Sequence, residues 1–187
     1  MAEIGHPTRR DALALLLGLA ALAPGLALAD DKAALDQLFA QLAVAPDETA
    51  ARSISNRIWA LWTRPSDKAL ADPMSLILTA RSSYEFDVAL DLLDKLIAAH
   101  PDYAEAWNQR ATIRYLMQDI EGSLADIEKT LELEPRHFGA LSGRALILLS
   151  QDQRALALKD MTRALQIHPF LPERSLFPEL GKGMTRV

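Results

Sequence analysis

"AEAWNQRATIRYLMQDIEGSLADIEKTLELEP", residues 104–135, decides how the chain folds. Apolar residues recur at helical spacing on both sides of a polar break at Gln118-Asp119, and the run stops at Pro135, which cannot continue a helix. The stretch therefore reads as two amphipathic helices joined by a short turn. Its partner "FGALSGRALILLSQDQRALALKDMTRALQIHP", residues 138–169, aligns with it without a gap, with its own break at Gln151-Asp152. "SLILTARSSYEFDVALDLLDKLIAAHP", residues 75–101, aligns on the other side and breaks at Ser83-Tyr84-Glu85. The closing prolines Pro101, Pro135 and Pro169 are evenly spaced along the chain. A fixed period of this size is the signature of stacked repeat units.

Composition agrees with an all-α chain. Of 187 residues half are apolar and only 6% aromatic, which suits helices packed through small side chains better than a sheet of β-branched residues. The net charge is -5, and it is unchanged without the leader up to Ala29, because Arg9 and Arg10 leave with Glu3 and Asp11. No basic surface of the kind that tracks a phosphate backbone is expected, so nucleic acid is excluded as a partner. With no cysteine, disulfides, thiolate metal sites and cysteine nucleophiles are excluded too.

The aligned units resemble the tetratricopeptide-repeat family. The resemblance rests on Trp107, Ala111, Ser123, Thr130, Leu131 and Pro135 in the middle unit and on Leu141, Ala145, Ala157, Ala164, Leu165 and Pro169 in the last. The first unit follows more loosely, with Pro73, Ile77, Ala89, Leu96, Ile97 and Pro101. It implies a right-handed α-solenoid of about three helix pairs, with units at 67–101, 102–135 and 136–169, whose first helices line a concave groove. On that groove the family's positions fall on Arg81, Asn108, Gln109, Thr112, Tyr115, Gly139, Ser142, Gly143 and Leu146. The lysine and arginine clamp with which one subgroup grips chaperone tails is absent; Met74, Leu78, Gln109, Gly139 and Gly143 occupy its place.

Residues 30–66 predict a further helical pair, with Leu35, Leu38, Phe39 and Leu42 in one helix and Ile54, Ile58, Leu61 and Trp62 in the other. A solenoid end needs cover, so this pair is expected as a cap on the first repeat, with Trp59 and Trp62 in its core. Before it, "TRRDALALLLGLAALAPGLALADD" has the pattern of an export signal: Arg9-Arg10, an apolar run, a Pro24-Gly25 break and a small-residue site at Ala27-Leu28-Ala29. Residues 1–29 are expected to be cleaved, giving a periplasmic protein; uncleaved, the uncharged run from Ala12 to Ala29 would form an inner-membrane anchor. Residues 170–187 form a C-terminal tail in which Phe170, Leu171, Leu176 and Phe177 can fold back on the last repeat, while Gly181 and Gly183 suggest a loose end.

Within the units, Arg110 and Arg144 occupy one repeat position and Asp126 and Asp160 another, whereas the first unit has Leu76 and Leu92 there. The concerted swap implies arginine–carboxylate pairs, either within units or from Arg144 across to Asp126. Gly139 and Gly143, each costing a helix interior about 1 kcal/mol, leave a bare stripe for a partner's backbone or for a helix or tail of the protein itself. His100, His137 and His168 lie beside the closing prolines and read as cations near helix C-termini. The sequence has no phosphate-cradling glycine loop and no nucleophile elbow, so no catalysis, metal or cofactor is expected. The functional expectation is an exported module binding a peptide or protein segment; the alternative is a structural subunit of an envelope assembly or a self-associating scaffold.

Overall fold

The computed structural model describes residues 24–181, which form eight α-helices and no strand. The helices are α1 (Pro24–Ala43), α2 (Glu48–Thr63), α3 (Lys68–Ser82), α4 (Phe86–Ala99), α5 (Ala104–Leu116), α6 (Ile120–Leu133), α7 (Phe138–Ser150) and α8 (Arg154–Ile167), followed by 3₁₀ turns at Pro172–Leu176 and Pro178–Leu180. The leader reading of residues 1–29 falls outside the described residues up to position 23; from Pro24 the chain is helical. Among the described residues no helix is long and apolar enough to cross a membrane.

The period written in the prolines is also written in the backbone. Tyr84, Gln118 and Asp152, at equivalent positions of the three units, adopt left-handed φ values of 62°, 66° and 58°. Each ends the first helix of its pair: the next amide reaches back over the last turn to a carbonyl, Glu85 to Ala80, Asp119 to Arg114 and Gln153 to Leu148, each at 2.9 Å. The second helices stop alike, with the amides of His100, Glu134 and His168 donating to Leu96, Thr130 and Ala164 at 2.8 Å before the proline. Three helix pairs of one shape follow from these two corners, and they stack as an α-solenoid.

Arginine and aspartate pair within units. Arg110 donates through Nε and Nη2 to the two oxygens of Asp126 at 2.9 and 2.7 Å, and Arg144 does the same to Asp160 at 2.6 and 2.8 Å. The cross-unit alternative, Arg144 to Asp126, is not the one formed. Asp126 is buried and takes a third donor, Arg114, at 2.8 Å. In the first unit Leu92 packs against the apolar core while Leu76 is exposed, so the leucines of the swap do not mimic the pair.

The core has two parts. One gathers Leu70, Met74, Ile77, Leu93, Leu96 and Ile113 from α3, α4 and α5. The other joins α6, α7 and α8 to Leu38, Phe39, Leu42, Ile58 and Trp62 of the N-terminal pair and to Leu171, Phe177 and Leu180 of the tail. The pair thus covers a different surface from the one expected: its apolar face lies on the last repeat, with α1 against α8. The anchors are visible. Trp62 stacks on His137 with ring centroids 4.0 Å apart, the Tyr103 hydroxyl donates to the Trp62 carbonyl, and Arg136 donates to Asp36 at 2.7 Å across the Phe39 ring. Asp31 accepts from the Ser66 amide and hydroxyl at 2.7 and 2.6 Å, fixing α1 to the loop after α2. In the tail Phe170, Leu171 and Phe177 fold back on the core of the last repeat as expected, whereas Leu176 is exposed; Gly183 lies outside the described residues.

Two histidines differ from the sequence reading. His137 is fully buried at the start of α7, where its Nδ1 accepts the Ala140 amide at 3.0 Å, so it caps a helix N-terminus as an acceptor. His168 does sit at the end of α8, but burial against Phe138 disfavours its charged form and lowers its pKa from the ordinary value of 6.5.

Three measurements check this account. In a double-mutant cycle on Arg144 and Asp160, monitored by denaturant unfolding, the coupling is about 1–3 kcal/mol, and Arg144 shows none with Asp126. Gly139 and Gly143 respond oppositely to alanine. A Cβ at Gly139 would stand 2.7 and 2.8 Å from Cη2 and Cζ2 of Trp59, whereas one at Gly143 meets nothing within 4 Å. Gly139→Ala therefore costs about 1–3 kcal/mol through a displaced indole, and Gly143→Ala gains up to about 1 kcal/mol of helix propensity. For His168 the folded pKa lies below the unfolded one, so between them the unfolded chain binds more protons. Its contribution is complete above pH 6.5 and is lost as pH falls toward the folded pKa. Unfolding free energy measured from pH 7.5 to 5.5 falls less steeply in His168→Gln than in wild type.

Candidate peptide groove

The first helices of the second and third pairs, α5 and α7, run side by side, and a cavity of about 220 Å³ opens between them. Its wall is mostly apolar: Ala111, Ile127, Ala140, Leu146 and Ile147, with Asn108, Thr112, Tyr115 and Ser123 at intervals and Gly139 and Gly143 as floor. Helical spacing places these side chains: 108, 111, 112 and 115 on α5, and 139, 143, 146 and 147 on α7, each share one face. Six of the nine positions read from the sequence meet here, namely Asn108, Thr112, Tyr115, Gly139, Gly143 and Leu146. Arg81, Gln109 and Ser142 do not line the cavity.

What those three do instead is internal. Arg81 on α3 donates to the Gln109 side-chain oxygen at 2.6 Å, and Gln109 passes its amide hydrogen to Glu105. Ser142 is buried and donates to the Gly139 carbonyl at 3.2 Å. Glu105 is 1% exposed, and its carboxylate also accepts from Asn108 Nδ2 at 3.2 Å and from His137 Nε2 at 2.9 Å. Because His137 Nδ1 accepts from Ala140, its hydrogen must sit on Nε2, facing Glu105. A polar chain from Arg81 through Gln109 and Glu105 to His137 thus runs behind the groove and holds three helix pairs together.

The two glycines have parted company. Trp59 of α2 lies over Gly139, so the protein's own N-terminal pair occupies that end; beside Gly143 the groove is open. Tyr115 at the mouth is 41% exposed, and Leu116 and Met117, exposed as well, follow it directly. The residues that sequence reasoning missed are Trp59 as the cover of Gly139, and Glu105 with His137 as the support. A signal for the second existed. Tyr103 and His137 share one position in the repeat, and both bind Trp62, one at its carbonyl and one at its ring.

Among the described residues no three of histidine, aspartate and glutamate gather as a metal would require. No family model matches the chain. A TPR repeat-containing protein of Rhizobium etli is 44% identical over 138 residues, covering 74% of this chain and 68% of that protein. Anaphase-promoting complex subunit 7 of Dictyostelium discoideum is 31% identical over 90 residues, 48% of this chain and 15% of its own. A crystal structure of MamA covers 83% of this chain and 86% of its own at 19% identity, with a TM-score of 0.49. Two independent helix corners repeated in every unit, and a relative of this identity over two thirds of its length, place the chain in the tetratricopeptide-repeat family.

Proposed function

We propose that the protein is an exported, non-catalytic interaction module that holds a peptide or protein segment in the open half of the α5–α7 groove. Tetratricopeptide-repeat proteins generally mediate protein–protein interaction. The observation that carries the reading is the pairing of a filled floor with an empty one: Gly139 is covered by Trp59, while Gly143 faces open space in an apolar cavity. A helix interior that gives up about 1 kcal/mol at Gly143 gains no packing inside the protein in return. The walls are preorganised, since the Glu105 network and the arginine–aspartate pairs hold α5 and α7 in place before a partner arrives, which lowers the ordering cost of binding.

Export is supported by the twin arginines, the apolar run and the Ala27-Leu28-Ala29 site. Cleavage after Ala29 would retain Asp31 and hence its hydrogen bonds to Ser66. The setting that follows is the periplasm, with the membrane touched only through an uncleaved leader.

The test is crosslinking and recovery from the native cell with tagged wild type and Gly143→Arg, both checked for helicity and melting temperature. A specific protein recovered with wild type and lost with Gly143→Arg is the expected result, together with a recovered chain starting at Asp30. The same proteins with both forms would move the partner to another face and overturn the groove reading.

A further inference from the structure

Resting on the groove reading above, we propose that the open half of the groove takes an indole, the side chain of a tryptophan in the partner segment. Size is the first argument. An apolar cavity of about 150 Å³ accommodates a benzene ring, so about 220 Å³ suits a bicyclic ring better than a methyl or an isopropyl group.

The floor is the second. At Gly139 the groove already carries an indole edge, that of Trp59, whose Cη2 and Cζ2 stand where any larger residue would collide. Gly143 lies one helical turn further along the same face of α7 and is bare. The cavity therefore continues the interface between α2 and α7 onto a floor of the same kind, and Gly139 belongs to both.

The third argument is polar. Asn108 lines the cavity and is 7% exposed. Its Nδ2 donates to the Glu105 carboxylate, which settles which end of the amide is oxygen, and among the described residues nothing donates to Oδ1. Thr112 gives its hydroxyl hydrogen to the Asn108 main-chain oxygen at 3.0 Å, so it has none left to donate to a ligand. The pocket thus suits a large apolar face that carries a hydrogen-bond donor. Among side chains the indole of tryptophan has that combination. Phenylalanine or leucine would fill the space and leave the Asn108 oxygen without a donor.

The experiment titrates full-length protein with alanine pentapeptides whose central residue is tryptophan, 1-methyltryptophan, phenylalanine or glutamine, following the amide resonances of Gly143 and Tyr115. The tryptophan peptide is expected to give saturable shifts, the methylated and phenylalanine peptides to bind at least about threefold more weakly, and the glutamine peptide to give none. Gly143→Leu, whose side chain enters open space, is expected to keep the melting temperature and to lose about tenfold or more of the tryptophan affinity. Equal shifts from tryptophan and glutamine, or binding indifferent to Gly143→Leu, overturn the proposal. So does 1-methyltryptophan binding as tightly as tryptophan, because the donor then has no role. A concentration-dependent dimer in sedimentation that Gly143→Leu abolishes would make a second copy the occupant and also overturn it. If a cellular partner is lost with Gly143→Arg while the tryptophan peptide does not bind, the groove reading stands and this one falls.

Discussion

The carboxylate of Glu105 lies at 1% exposure between helices that belong to different repeats, and it accepts from Gln109, Asn108 and His137. A buried charge left without partners destabilises a fold by several kcal/mol, so these contacts constrain the arrangement around them. Gln109 serves with its oxygen held by Arg81 of α3, and His137 with its other nitrogen capping α7. The His137 ring is in turn held in place by Trp62 of α2, stacked on its face. One acid residue thereby ties the first, second and third helix pairs to the N-terminal pair. Replacing any one partner by an apolar group leaves a polar atom of the chain unmatched, which is why the network behaves as a unit.

The repeat itself was legible because its physics is local. A proline ends a helix whatever surrounds it, and a polar break between two apolar runs marks a turn. The arginine–aspartate pairs were legible for a related reason. Residues that change together between units, Arg110 with Asp126 and Leu76 with Leu92, report a relation that a single unit would hide. Choosing between the pairing within a unit and the pairing across units needed coordinates, since the concerted swap fits both.

Less could be read where contacts join distant parts of the chain. Gly139 and Gly143 look alike in sequence, and only the return of α2 over α7 separates a packed position from an open one. The apolar stripes of α1 and α2 announce a buried face without saying which surface buries it, and here the last repeat and the tail do so. Histidine misled for another reason. Its place near a closing proline suggests a cation at a helix end, but His137 starts the next helix as an acceptor and His168 is held neutral by burial. Side-chain charge state depends on desolvation, which spacing does not record.

The size of the open pocket limits what it can do alone. Burying one aromatic side chain removes roughly 150–250 Å² from water, or about 4–6 kcal/mol at about 25 cal/mol per Å². Association costs at least about 4 kcal/mol in lost freedom, so a segment anchored at this one point binds weakly. Useful affinity requires the same segment to touch the protein beyond the pocket. At the Gly139 end Trp59 already fills the way. At the other end Tyr115 is followed by exposed Leu116 and Met117, which lead directly from the mouth onto apolar surface. The position of the N-terminal pair therefore does more than complete a core: by closing one end of the groove it would set the direction in which the proposed segment leaves.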